Sequence, residues 1–363
     1  MKQIKKKRKY WIVPIAVLLL AIILTACKQE AQPKVEDAIE TTTRIIVDQA
    51  GRQHEIPLKI DKVYTTGPMG SIFLYTMAPE KMIGWNNDLN EDSLPYIQKK
   101  YTKLPVLGRW VGTDITGSIE EILKLSPDIL INVGTISEEW ISISDGIQEQ
   151  MGVPVLMVNG DFFEIDEAYT FMGDVLGMQN RASQLADYAK EVENEIVNLK
   201  NVLNNSQKKS VYLASGAEGL ETSSQGTINV ELLEIMGGIS VAETGGGRMD
   251  ASIEQIFLWN PKIILISDPS GIKKQTQQMI TDNNSVWNNI DAVKNRQIYT
   301  IPNLPFDWMN RPPSIMRLIG AQWIGSILYP DLYSVDIEAQ IRKFMALFFN
   351  YEWQDDDFEK LIP

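Results

Sequence analysis

One cysteine, Cys27, and one histidine, His54, are all that 363 residues hold of the two side chains on which much metal and nucleophile chemistry depends. A lone cysteine excludes an intramolecular disulfide, a zinc–cysteine cluster and thiol chemistry within the mature fold. A lone histidine, placed in a hairpin arm without partners, reads as a surface strand residue. It also excludes a site for bare zinc or manganese, which draws on several imidazoles mixed with carboxylates. Positive charge is short as well, with 34 Lys and Arg against 47 Asp and Glu. A net charge of -13 argues against nucleic acid as a partner, since phosphate neutralisation needs a clustered basic surface. There is no G-x-S-x-G elbow and no histidine beside a nucleophile. Paired carboxylates such as Asp161 and Glu164, acting on surface polymers in a hydrolase, are the alternative left from the enzyme class.

A membrane-spanning run is also lacking. From Trp11 to Ala26 the apolar stretch has sixteen residues, against about twenty needed to cross a bilayer. Preceded by MKQIKKKRKY, it reads as a secretory signal. The Leu-Thr-Ala-Cys that closes it resembles the lipobox of bacterial lipoproteins, which implies cleavage after residue 26, a diacylglycerol on Cys27 and palmitate-type acylation at the new N-terminus. Removing 26 of 363 residues leaves 337 and takes away six positive charges, moving the balance from -13 to -19. Residues 27–42 are polar, charged and without period, the composition of a flexible tether.

What the chain does have is a repeated phrase. GSIEEILKLSPDILI, from Gly117 to Ile131, returns as ASIEQIFLWNPKIIL, from Ala251 to Leu265, with six identities in fifteen positions. In each copy a serine precedes acidic residues, the signature of a helix start, and a proline separates that helix from an apolar strand. TRIIVDQAGRQHEIP alternates like a β-hairpin, while DKVYTTG, MIGW, LPVLG, DILINVG, GVPVLMVNG, KKSVYLASG and IILIS read as strands. Between Glu164 and Asn205 the apolar spacing predicts helix, either one of about thirty residues, roughly 45 Å long, or two with a break near Gly177. Strands alternating with helices predict parallel sheets. The organisation expected is therefore α/β: a signal over 1–26, a tether over 27–42, an N-terminal lobe over 43–163, a linking helix over 164–206 and a C-terminal lobe over 207–363.

The (G/A)-S-I-E-x-I-x-x-x-x-P-x-(I/L) phrase in each lobe, the long joining helix and the segment RPPSIMRLIGAQWIGSILYPD resemble the substrate-binding proteins of ABC importers for iron-siderophores, haem and cobalamin, a class III periplasmic binding protein-like family. The resemblance covers Arg44 to the C-terminus. It implies a monomeric, lipid-anchored protein on the extracytoplasmic face of the cell membrane, without catalytic residues or a resident cofactor. It also implies that a glutamate on each lobe, Glu120 and Glu254 by motif position, docks on arginines of the two permease subunits.

The ligand is expected between the lobes, at the carboxyl ends of the strands. Loops there carry Met69, Trp85, Arg109, Trp110, Arg248, Trp308 and Arg311, with Tyr212 on a nearby strand. Arginine offers a planar, permanently charged fork to oxygen anions and tryptophan a flat apolar wall, which suits an anionic metal chelate, first a ferric siderophore. Haem is an alternative, with Met69, Met249, Met309 or Tyr212 as axial ligand, and a corrinoid another. Gly245-Gly246-Gly247 lacks the Gly-Lys-Ser/Thr of a phosphate loop.

Overall fold

The computed structural model describes residues 42–112, 114–243, 245–267, 273–282 and 285–362. The signal, Cys27 and the tether as far as residue 41 lie outside the described residues. No described helix is long and apolar enough to cross a membrane.

The fold begins with the antiparallel hairpin of β1 (Thr43–Val47) and β2 (Gln53–Pro57). Three parallel strands follow, β3 (Val63–Thr65), β4 (Ile129–Gly134) and β5 (Val155–Asn159), connected through helices α1 (Pro68–Met77), α2 (Ile119–Lys124) and α3 (Glu138–Met151). The strands are buried almost throughout because helices cover both faces of a parallel sheet, and Asn132, polar at the middle of β4, is satisfied there by the Thr66 and Ser144 hydroxyls. MIGW and LPVLG do not form strands; they make only the isolated bridges Val63–Met82 and Trp85–Val106.

β5 is an edge strand, and the hairpin turn satisfies its outer groups as sheet edges require. Asp48 Oδ2 accepts the Met157 N–H at 2.9 Å, Gln49 Oε1 accepts the Asn159 N–H at 2.8 Å, and the Gln49 N–H donates to the Met157 carbonyl at 3.2 Å. The same Asp48 oxygen lies 3.1 Å from His54 Nε2. His54 is therefore not a surface residue but 6% exposed: strand alternation puts it on the inward face with Ile56.

The connecting segment is two helices, α4 (Ile165–Leu176) and α5 (Gln179–Val202). Gly177, at φ +70°, ends the first in a left-handed cap. The second packs back so closely that a Cβ on Gly173 would come within 2.4 Å of the Ala182 methyl. A single 45 Å strut is thus replaced by a packed pair, whose longer member of 24 residues spans about 36 Å.

The second half contains β6 (Ser210–Ala214), β7 (Glu221–Ser223), α6 (Ile228–Ile235), β8 (Ile239–Ser240), β9 (Arg248–Asp250), α7 (Ile253–Trp259), β10 (Ile263–Ile266), α8 (Lys273–Thr281), α9 (Asp291–Lys294), β11 (Ile298–Thr300), α10 (Met316–Leu328), α11 (Ile337–Phe349) and α12 (Asp357–Leu361). Its main sheet is parallel in the order β11-β10-β6-β8, with β7 and β9 as a separate antiparallel pair.

The repeated phrase forms the same unit twice. Ser118 Oγ accepts the Glu121 N–H and Ser252 Oγ the Gln255 N–H, so α2 and α7 start alike. Each unit then turns through a residue with positive φ directly before its proline, Ser126 at 54° and Asn260 at 40°, and enters β4 or β10.

From Thr43 onward the described residues belong to one compact unit. Its apolar core is continuous between the sheets: Trp85 meets Phe306 at 6.2 Å between ring centroids and Tyr75 meets Phe349 at 5.8 Å. Arg181 Nη2 donates to the Thr76 carbonyl at 2.8 Å and also to that of Leu347, so α11 is held against α1.

Candidate ligand-binding cleft

A cavity of about 790 Å³ opens at the carboxyl ends of the strands, walled by the first turn of α1 and the segments 85–90 and 109–112 on one side and by the loop 303–312 on the other. α1 begins directly at Gly67 and Pro68, where proline lacks the N–H that a first turn leaves unsatisfied. A Cβ on Gly67 would sit 2.2 Å from Val111 Cγ2, so only glycine lets the arginine-bearing loop close on the helix. Trp110 braces that loop from beneath: its N–H donates to the Thr66 carbonyl at 2.8 Å and its ring stands edge-on to Tyr64.

Asn86 knots this wall together. It is buried, its amide donates to Tyr64 Oη, the Thr65 carbonyl and the Gly108 carbonyl, and its oxygen accepts from Thr65 and Ser71. β3, α1 and the 108 loop are thereby fixed to one side chain. Burial pushes the Tyr64 phenol up, against its bond from Asn86, so it stays a neutral member of the knot. Arg109 leaves this wall with Nε donating to the Asp114 carbonyl at 2.9 Å and Nη1 3.4 Å from Asn87 Oδ1.

The opposite wall is anchored by Trp308, which is fully buried. Its indole donates to the Leu304 carbonyl at 2.8 Å, and Asp307 Oδ1 accepts the N–H groups of Met309 and Asn310 at 2.9 and 3.0 Å. These contacts set the turn from which Asn310 and Arg311 line the cavity.

Of the residues expected at the ligand, Trp85, Arg109 and Arg311 line this cavity and the others do not. Trp85 is 3% exposed and its indole donates to the Tyr101 carbonyl, so it offers an edge at the floor instead of a flat wall. Trp308 and Trp110 are supports. Tyr212 is fully buried between Trp259 and Trp287, because β6 is a central strand covered on both faces, and its hydroxyl donates to the Gly219 carbonyl at 2.9 Å. Met69 packs over Gly160, where its Sδ would stand 2.6 Å from an added Cβ. Arg248 projects from β9, half exposed and 3.9 Å from Glu221, outside the cavity.

The sequence reading missed the amides. Asn86, Asn87, Asn90, Asn303 and Asn310 all line the cavity, with Asp88 and Asp307. The density of amides in WNNDLN, directly after a short apolar stretch, is the signal that carried them. Among the described lining residues there is no tyrosine, histidine or methionine, and Met309 is buried elsewhere. The first-turn glutamates lie away from the cavity: Glu120 is exposed and 2.9 Å from Lys124, and Glu254 is exposed.

The periplasmic binding protein family profile matches residues 92–304, more than half of the chain. The ABC transporter substrate-binding lipoprotein YvrC of Bacillus subtilis is 25% identical over 341 residues, 91% of this chain and 99% of YvrC. The molybdate-binding protein MolA of Haemophilus influenzae is 23% identical over 346 residues, 86% of this chain and 93% of MolA. A solved ABC transporter solute-binding protein from Sulfurospirillum deleyianum superposes with a TM-score of 0.79 at 28% identity, covering 88% of this chain and 98% of that one. A hydrolase working through Asp161 and Glu164 is thereby set aside. The chain belongs to the periplasmic binding protein family, with the two-lobed class III fold, and is a substrate-binding component of an ABC transporter, not an enzyme.

Proposed function

We propose that this protein captures an anionic, oxygen-rich metal chelate, a ferric siderophore first among them, and hands it to an ABC permease dimer that meets Glu120 and Glu254. The observation that carries the reading is the meeting of Arg109 and Arg311, from opposite walls, in one cavity whose remaining polar lining is chiefly amide. Two guanidinium forks grip carboxylate, catecholate or hydroxamate oxygens, and the asparagines answer the donors and acceptors of a chelator backbone. Each charge-assisted hydrogen bond contributes about 1.5–3 kcal/mol, or roughly 10–150-fold in affinity. The volume of about 790 Å³ falls within the range of about 300–1,000 Å³ typical of small-ligand sites. Haem fits less well, because the described lining residues include none of the usual axial side chains.

A second reading, a bare oxyanion, draws on MolA, whose printed name gives molybdate and which aligns over most of its length. The first turn of α1 in the cavity wall favours it too, as helix N-termini attract anions. The signal and the lipobox-like Leu-Thr-Ala-Cys support anchoring through a lipid on Cys27 at the outer face of the membrane, as does the lipoprotein name of YvrC.

Tryptophan fluorescence tests the ligand, with Trp85 at the cavity floor as reporter. The protein is titrated with ferric catecholates, ferric hydroxamates, haem, cobalamin and molybdate. Saturable quenching by one ferric chelate is expected. Binding of molybdate alone replaces the chelate by an oxyanion, and binding of haem or cobalamin alone overturns the charge-based reading.

A further inference from the structure

The two copies of the repeat differ where they would meet a membrane partner. In both, the first-turn glutamate follows a capping serine, and an apolar residue stands three positions on, Leu123 or Phe257. One turn along the same face the copies diverge. In the first, Lys124 Nζ lies 2.9 Å from Glu120 Oε1, both side chains largely in solvent, the i,i+4 order that favours pairing on a helix. In the second, the equivalent residue is Leu258, 80% exposed.

Glu254 has no ion pair among the described residues; its own N–H and the Ser252 hydroxyl hold its carboxyl below the usual range, so it is fully ionised. Val286, 60% exposed, stands in the turn Val286–Asn289, whose Trp287 and the Trp259 of α7 both pack on Tyr212. One exposed leucine on a surface is ordinary. A leucine one turn from an uncompensated acid, in place of the lysine that neutralises the other copy, is a difference in what each lobe offers.

We infer that docking on the permease is asymmetric: the C-terminal lobe makes the principal contact, Glu254 pairing with a basic group while Leu258 and Val286 are covered by an apolar surface beside it, and the N-terminal contact is weaker because Lys124 occupies Glu120 and repels the same cation. The inference rests on the docking reading above. The occupant is the extracytoplasmic surface of one permease subunit, basic with an apolar margin.

The test places a photo-crosslinking benzoylphenylalanine at Glu121 or at Gln255, equivalent positions in the two helices, in the full chain in living cells, and identifies the products by mass spectrometry. A permease subunit is expected from both positions, with about tenfold more from Gln255, since covering a leucine side chain changes affinity by roughly that factor or more. Lys124→Leu raises the yield at Glu121 towards that at Gln255, and Leu258→Lys lowers the yield at Gln255; both sites are exposed, so melting temperatures stay unchanged. Equal yields, or no response to either substitution, overturn the asymmetry and leave docking standing. Products lacking any permease subunit, including a second copy of this chain, overturn docking itself and the inference with it.

Discussion

Gly320→Ala tests how the arginine loop is held. In α10 the Gly320 Cα faces the Trp308 carbonyl, and an added Cβ would stand 1.9 Å from that oxygen. Carbon–oxygen contacts settle near 3.3 Å, so helix and loop must separate by about 1.4 Å. Nothing nearby yields easily: the oxygen belongs to backbone, Trp308 is buried, and its N–H and indole are bonded to Pro302 and Leu304. Overpacking of this kind destabilises by about 1–3 kcal/mol, and the backbone clash puts this case at about 3. At about 2–4 °C per kcal/mol, the melting temperature falls by roughly 6–12 °C. Because Arg311 lies three residues from Trp308, chelate affinity falls too, by about tenfold as the guanidinium is displaced. Gly146→Ala is the matched control. It lies within α3 with nothing within 4 Å of its added Cβ, and the helical preference of alanine raises stability by about 0.5–1 kcal/mol. Calorimetry and ligand titration of both variants decide the matter: an unchanged melting temperature and affinity for Gly320→Ala refute the close packing of Trp308 on α10.

Two further outcomes concern pH. Burial works against ionisation of Asp48, but the bonds from His54, the Met157 N–H and Arg52 outweigh it and bring its pKa down to about 2. A depressed carboxylate stabilises the fold above its unfolded pKa and loses that contribution as pH falls, here about 2 kcal/mol between roughly pH 4 and pH 2; acid denaturation of Asp48→Asn should lack this step. Glu193 shifts the other way, pushed up to about 7 by burial, then by Asp166 and Glu164 against the opposing Lys190. The fold is weakened progressively as pH rises from the ordinary glutamate value of 4.5 to about 7, and the full penalty stands above that, so Glu193→Gln should raise the melting temperature at about pH 8 and progressively less towards pH 5.

The parts of this molecule that could be read from its sequence are those set by local pattern. The capping serines Ser118 and Ser252, the prolines that follow, and the chiefly aliphatic strands Ile129–Gly134 and Ile263–Ile266 speak through their own neighbours, and so does Gly177 as a helix break. Side-chain direction in loops does not. Trp85, Trp110 and Trp308 look alike in sequence, yet Trp308 turns inward because a glycine on α10, twelve residues later, admits its carbonyl. Tyr212 is withdrawn from any ligand by being on an inner strand, a fact of sheet order. His54 looks like a surface residue in sequence because its partner, Asp48, lies across a turn. The amides of the cleft went unread because asparagine is common in loops, and only the fold brings Asn86 and Asn310 to one cavity.

The central claim is that two arginines from opposite walls close on one anionic ligand. Isothermal titration of the chelate that quenches tryptophan fluorescence, against the intact protein, Arg109→Gln and Arg311→Gln at low and high salt, tests it most directly. The expected result is a loss of about 10–100-fold in each variant, with a weaker salt dependence than the parent as one charge leaves the cleft. Unchanged affinity in either variant would contradict the two-sided grip and return the ligand's recognition to the amides alone.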